Sequence, residues 1–108
     1  MKELHIYCTK AGKQPFANWM ESLKDKITKA QVTNRLNRVA HGNYGDCQSV
    51  GGGIYELRIH YGAGYRVYFA EQDKTILLLL VGGSKKTQVK DIENAKKYWH
   101  EFQERCYD

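Results

Sequence analysis

Between positions 56 and 68 the chain places Glu56, Arg58, His60, Arg66 and Tyr68 where they can act on one substrate. Ile54–Tyr61 alternates as a strand does, with Glu56, Arg58 and His60 on one face and Tyr55, Leu57 and Ile59 on the other. Tyr65–Glu71 alternates too, with Arg66 and Tyr68 opposite Tyr65, Val67 and Phe69. Such a face suits phosphate chemistry. RNA can cleave itself when its 2′-hydroxyl attacks the adjacent phosphate, and a catalyst must orient that attack, stabilise the added charge and move two protons. Arg58 and Arg66 can neutralise the phosphorane, and His60 or Glu56 can take or give a proton, with no metal required. Lys85 and Lys86, just beyond the last apolar strand, add charge beside the same face. The alternative is a merely wet face, with Glu56 or Glu71 paired to the arginines.

Other chemistry finds little footing. Gly51-Gly52-Gly53 lacks the Lys-Ser/Thr of a phosphate-binding loop and precedes a strand. His5, His41, His60 and His100 are not at metal-ligand spacing, so no metal or cofactor is expected. Cys8, Cys47 and Cys106 form no CxxC pair and read as reduced thiols, and Cys47 has no His/Asn context for a nucleophile. No partner for His60 is evident in sequence.

The elements that would position these groups fit one domain, residues 1–108. Leu4, Ile6 and Cys8 alternate as a first strand. Pro15 opens a helix whose apolar face is Phe16, Trp19, Met20, Leu23 and Ile27. A second helix uses Ala30, Val32, Leu36, Val39 and Ala40, ends at Gly42, and is joined to the first around Asp25–Thr28. Its other face shows Lys29, Arg35 and Arg38. His41–Gly53 reads as a loop. Three strands follow: Ile54–Tyr61, Tyr65–Glu71 and Thr75–Val81. Gly62-Ala63-Gly64 and Gln72-Asp73-Lys74 are the turns between them, and Gly82-Gly83 ends the third. A last helix carries Val89, Ile92, Ala95, Trp99 and Phe102, with Thr87 as N-cap. The expected fold is α+β: strand, two-helix hairpin, three-stranded antiparallel meander, C-terminal helix. The helices should pack on one sheet face and leave the other partly open.

Net charge is +5, and residues 1–45 carry the excess with eight Lys/Arg against three Asp/Glu. That points to a polyanionic partner, nucleic acid first, or to a solubilising surface. The longest apolar run, Ile76–Val81, is far short of a membrane span, and no leader is evident, so a cytoplasmic protein with no membrane role is expected.

The block Gly53–Phe69 (GIYELRIHYGAGYRVYF), then Leu77–Lys86 (LLLLVGGSKK) and Gln88, Asp91 and Ile92, resembles the RelE/ParE toxin superfamily. The nearest branch is that of phage-derived Gp49-like, or addiction-module killer, proteins related to HigB toxins. The likeness spans nearly the whole chain, including the Trp19 helix and the Asn43–Asp46 loop. It implies a strand–helix–helix–three-strand–helix fold and the toxin of a type II toxin–antitoxin system, a ribosome-dependent mRNA endonuclease. The partners it implies are a cognate antitoxin, which can be of helix-turn-helix type, mRNA and the ribosome, with operator DNA reached only through the antitoxin. Arg66 then contacts the scissile phosphate, Arg58 is the basic residue of the preceding strand, and Lys86, or Lys85, is the one after the last. With His60 these form the expected catalytic set; Lys29, Arg35, Arg38, Lys85 and Tyr68 are expected to bind RNA. RelE toxins carry a tyrosine where this chain has Lys90, so base stacking would be lost or fall to Tyr68 or His60. The C-terminal acid–Tyr–His group of HigB toxins has only Tyr98-Trp99-His100 as a counterpart. The alternatives are a ParE-like inhibitor of DNA gyrase without nuclease activity, or a domain that binds only antitoxin and operator DNA.

Overall fold

The computed structural model describes residues 1–106. It is an α+β fold in the expected order with one strand added: β1 (Glu3–Ile6), α1 (Pro15–Ser22), α2 (Lys26–Ala40), β2 (Cys47–Gly51), β3 (Ile54–Ile59), β4 (Tyr65–Gln72), β5 (Ile76–Ser84), a 3-10 turn at Lys85–Thr87, and α3 (Gln88–Cys106). The strands form one sheet in the order β1-β5-β4-β3-β2. β2 to β5 are antiparallel neighbours, and β1 returns parallel to β5 at the edge. Among the described residues no helix is long and apolar enough to cross a membrane.

β2 occupies part of the expected His41–Gly53 loop. Its tight turn to β3 uses Gly52 and Gly53 at φ +65° and +83°, the pair of positive values that only glycine adopts readily. The break between the first two helices falls at Leu23–Asp25. Asp25 caps α2 by accepting from the Ile27 N–H and the Thr28 hydroxyl, and Ile27 is exposed, not part of the α1 face.

Both faces of the sheet are covered, which corrects the expectation of an open face. α1 and α2 lie on one side, where Phe16, Val32, Leu36 and Val39 meet Leu57, Ile59, Val67, Phe69, Leu77 and Leu79. α3 lies on the other, where Ala95, Ile92, Tyr98, Trp99 and Phe102 meet Tyr7, Ile54, Tyr68, Ala70, Leu78 and Leu80. Val89, expected on the apolar face of α3, is 82% exposed. The buried position in that first turn is Asp91, whose carboxylate accepts from the Thr87 hydroxyl.

β5 gains one residue against β4 where Tyr68 pairs with Val81 but Phe69 with Leu79. This bulge sends both Leu80 and Val81 to the α3 side and sets the faces of the two glycines that follow. A Cβ on Gly82 would sit 2.2 Å from the Trp19 ring, and one on Gly83 would sit 1.9 Å from the Asp91 carboxylate. Glycine there lets α1 and the start of α3 close on opposite faces. The strand runs through them to Ser84 instead of ending at them.

Candidate phosphodiester site

Arg58 pairs with Arg66, and Arg66 with Gly83, so two guanidinium side chains stand on adjacent strands of the α3 face. Neighbouring strands are about 4.8 Å apart, a spacing at which like charges repel unless something neutralises them. Glu56 does so. Its side chain has no exposed surface, and its two oxygens accept four hydrogen bonds. Oε1 accepts from Arg58 Nε at 3.0 Å and Gln48 Nε2 at 3.4 Å, and Oε2 accepts from Tyr68 Oη at 2.9 Å and Gln88 Nε2 at 2.8 Å. Burial pushes this carboxyl's pKa up, but the Gln88, Arg58 and Tyr68 hydrogen bonds and the charge of Arg66 outweigh it and hold the value below the ordinary 4.5. Burial, then the bond to Glu56, drives the Tyr68 phenol well above the usual tyrosine range, so it stays a donor.

Arg66 is bound less tightly than Arg58. Its Nε lies 3.5 Å from Glu56 Oε2, within ion-pair range but not hydrogen-bonded, and that buried atom has no hydrogen-bond partner among the described residues. Its side chain is 13% exposed, against 32% for Arg58. Arg66 is therefore positioned by charge while part of its donor capacity remains unused.

His60 lies just past the end of β3, two residues beyond Arg58. It is not alone, as the sequence suggested: its Nε2 meets Asp46 Oδ2 at 2.5 Å. That bond is the main cause of the lowered Asp46 pKa. The pair is open to solvent at the mouth of a cleft of about 290 Å³ between α2 and the end of β3, which Arg35, Arg38 and Arg58 also line. Arg38 is exposed in the last turn of α2, and Lys29 is half-buried earlier on that helix. Arg35 is fastened to the protein itself: its Nη2 donates to the backbone carbonyl of Tyr44 at 2.9 Å and, over longer distances, to those of Asp46 and Arg58. Burial and the neighbouring Arg38 lower its pKa. It staples the Asn43–Asp46 loop to β3.

Lys85 and Lys86 follow β5 directly, exposed in the 3-10 turn. One end of the sheet thus carries, strand by strand, Lys86, Arg66, Arg58, and the His60–Asp46 pair. Tyr68, expected to touch RNA, is fully buried and cannot stack on a base. Tyr98-Trp99-His100 lies elsewhere. Tyr98 packs on Tyr7, Trp99 on Phe102 and beside the Gly53 turn at the opposite sheet end, and His100 on Glu104. Gln48 and Gln88, which support Glu56, and Asp46, the partner of His60, are what sequence reasoning left out, whereas Glu56 is paired with the arginines as one of its alternatives had it. Among the described residues no group of three or more His, Cys, Asp or Glu is placed to hold a metal.

Residues 18–100 match the family described as phage-derived protein Gp49-like (DUF891). The chain is also 48% identical over 81 residues to an uncharacterized protein of Haemophilus influenzae, an alignment covering 75% of this chain and 82% of that relative. The matched span holds Glu56, Arg58, His60, Arg66, Lys86 and Asp46.

Proposed function

Because the chain belongs to the Gp49-like family of phage-derived proteins, a toxin–antitoxin-related family, we propose that it is the toxin of such a pair and that it cuts mRNA on the ribosome. One observation carries this reading: a buried, ionised carboxylate holds two arginines side by side at a sheet end that also bears a lysine and an acid-oriented histidine. A purely structural ion pair has no need of the second arginine, the unused donors or the neighbouring cations.

The scissile phosphate sits on Arg66 and Arg58, whose charge-assisted hydrogen bonds strengthen as the phosphorane forms. Asp46 binds His60 through Nε2 and leaves Nδ1 to take the 2′-hydroxyl proton. Lys86, the charged donor at the other end of the row, serves the departing 5′-oxygen. Glu56, saturated by four donors and shifted down, positions and does not act as the base. The exposed cations of α2 and the break before it, Lys24, Lys26 and Arg38, with the half-buried Lys29, dock on ribosomal RNA phosphates. A cognate antitoxin of helix-turn-helix type covers the site and carries any contact with operator DNA.

Growth arrest on expression tests the reading. Pulse-labelling should show translation stopping before DNA synthesis, with cut mRNA. Early DNA damage with intact mRNA contradicts it and favours a gyrase-directed toxin.

A further inference from the structure

A cleavage site needs a place for a base as well as for a phosphate, and neither residue suggested by the sequence supplies one at the row of cations. Tyr68 is sealed under α3 with its hydroxyl on Glu56. His60 is tied to Asp46 on the far side of Arg58. At the other end of the row, past Arg66, an open trough of about 630 Å³ is lined by Ala63, Tyr65, Ser84, Lys85 and Lys86. Tyr65 is its aromatic wall. It starts β4 opposite Ser84, one residue before Arg66, and its inner side rests on Trp19 with ring centroids 6.3 Å apart. Successive side chains of a strand point to opposite faces, so Tyr65 and Arg66 flank the sheet end. A strand of RNA with one phosphate on Arg66 would cross that end of the sheet to reach Tyr65 with a neighbouring base.

We propose that this trough takes one unpaired nucleobase of the RNA, stacked on Tyr65, with Lys85 on the adjoining phosphate and Lys86 between it and the scissile one. An aromatic ring flanked by lysines is how single-stranded nucleic acid is held without base-edge readout, and recognition of single strands relies on such splayed, stacked bases. The inference rests on the RNA-directed reading of the arginine pair and adds the substrate's form: single-stranded, and indifferent to base identity at this position.

The probe is a single-stranded 2′-O-methyl RNA hexamer, which cannot undergo 2′-hydroxyl attack, together with versions carrying one abasic residue at each position in turn. Affinity is read by anisotropy. Contact is read by quenching of Trp19 in a Trp99→Phe background, which leaves one tryptophan. Tyr65→Leu, which keeps apolar packing on Trp19 but has no ring, should weaken binding by about 5- to 150-fold. Tyr65→Phe should bind as the parent does. One abasic position should cost the parent a similar factor and cost Tyr65→Leu nothing further. No hexamer binding by the parent, equal binding by a folded Tyr65→Leu, or additive losses in that cycle would overturn the proposal. Hexamer binding of the expected kind without cleavage on ribosomes would sink the nuclease reading and leave the trough standing. Cleavage with an inert Tyr65 would do the reverse.

Discussion

Glu56 is an ionised carboxylate without exposed surface, and the rest of the site depends on it. Its folded-state pKa lies below the ordinary value of 4.5, so it stabilises the fold above that pH, and the contribution is lost as pH falls through the folded value. Urea midpoints should therefore drop below pH 4.5 in the parent protein. In Glu56→Gln they should be lower at pH 7 but flatter over the acid range, so that the two curves converge. Parallel curves would mean that the carboxylate is not what holds this cluster. Glu56→Ala, which strands two guanidiniums, should cost about 3–5 kcal/mol, as breaking a buried ion pair does. Arg66→Ala is different, because Glu56 keeps four other donors and the fold should survive. Cleavage should fall about 10²–10³-fold, and Arg66→Lys should recover only part of it, since an ammonium lacks the planar fork. Unchanged cleavage by folded Arg66→Ala would make this residue structural.

Among the elements, α2 has two jobs. Its buried side packs on β3, and Arg35 staples the Asn43–Asp46 loop, so reversing Arg35 should unfold that loop and inform nothing about RNA. Reversing Lys29 and Arg38 to glutamate should leave the melting temperature nearly unchanged while lowering ribosome binding and flattening its salt dependence, because fewer counterions are released. Salt dependence identical to that of the parent would mean that α2 is not the docking face. The strands of the meander and α3 were legible in sequence because their periods of 2 and 3.6 are strong. The short, polar β2 was not, because its two half-buried residues, Cys47 and Val50, are three apart and do not alternate, and it ends in glycine. The bulge at Leu80 and the burial of Asp91 were also hidden: one shows only in the pairing of β5 with β4, the other in how α3 closes on Gly83. For the same reason the arginines, His60 and a pairing of Glu56 with the arginines could be named, but the groups that complete the cluster could not. Glu56 meets Gln88 across 32 positions, and His60 meets Asp46 across 14.

The whole molecule is a sheet closed on both faces, with its chemistry at one end of the strands and its excess charge in residues 1–45. At that end it offers two arginines on a buried carboxylate and one exposed histidine, His60, but few elements that could hold a flexible RNA in the attack geometry. Positioning of that kind is worth roughly 7–11 kcal/mol, and here it is assigned to the ribosome. The most direct test compares cleavage of one mRNA, mapped by primer extension, on programmed ribosomes and free in solution at the same concentrations. The account predicts rapid cuts on ribosomes, little or none in free RNA, and loss of the ribosomal cuts in Arg66→Ala. Equal rates on free and ribosome-bound RNA, or ribosomal cuts that persist undiminished in folded Arg66→Ala, would contradict it.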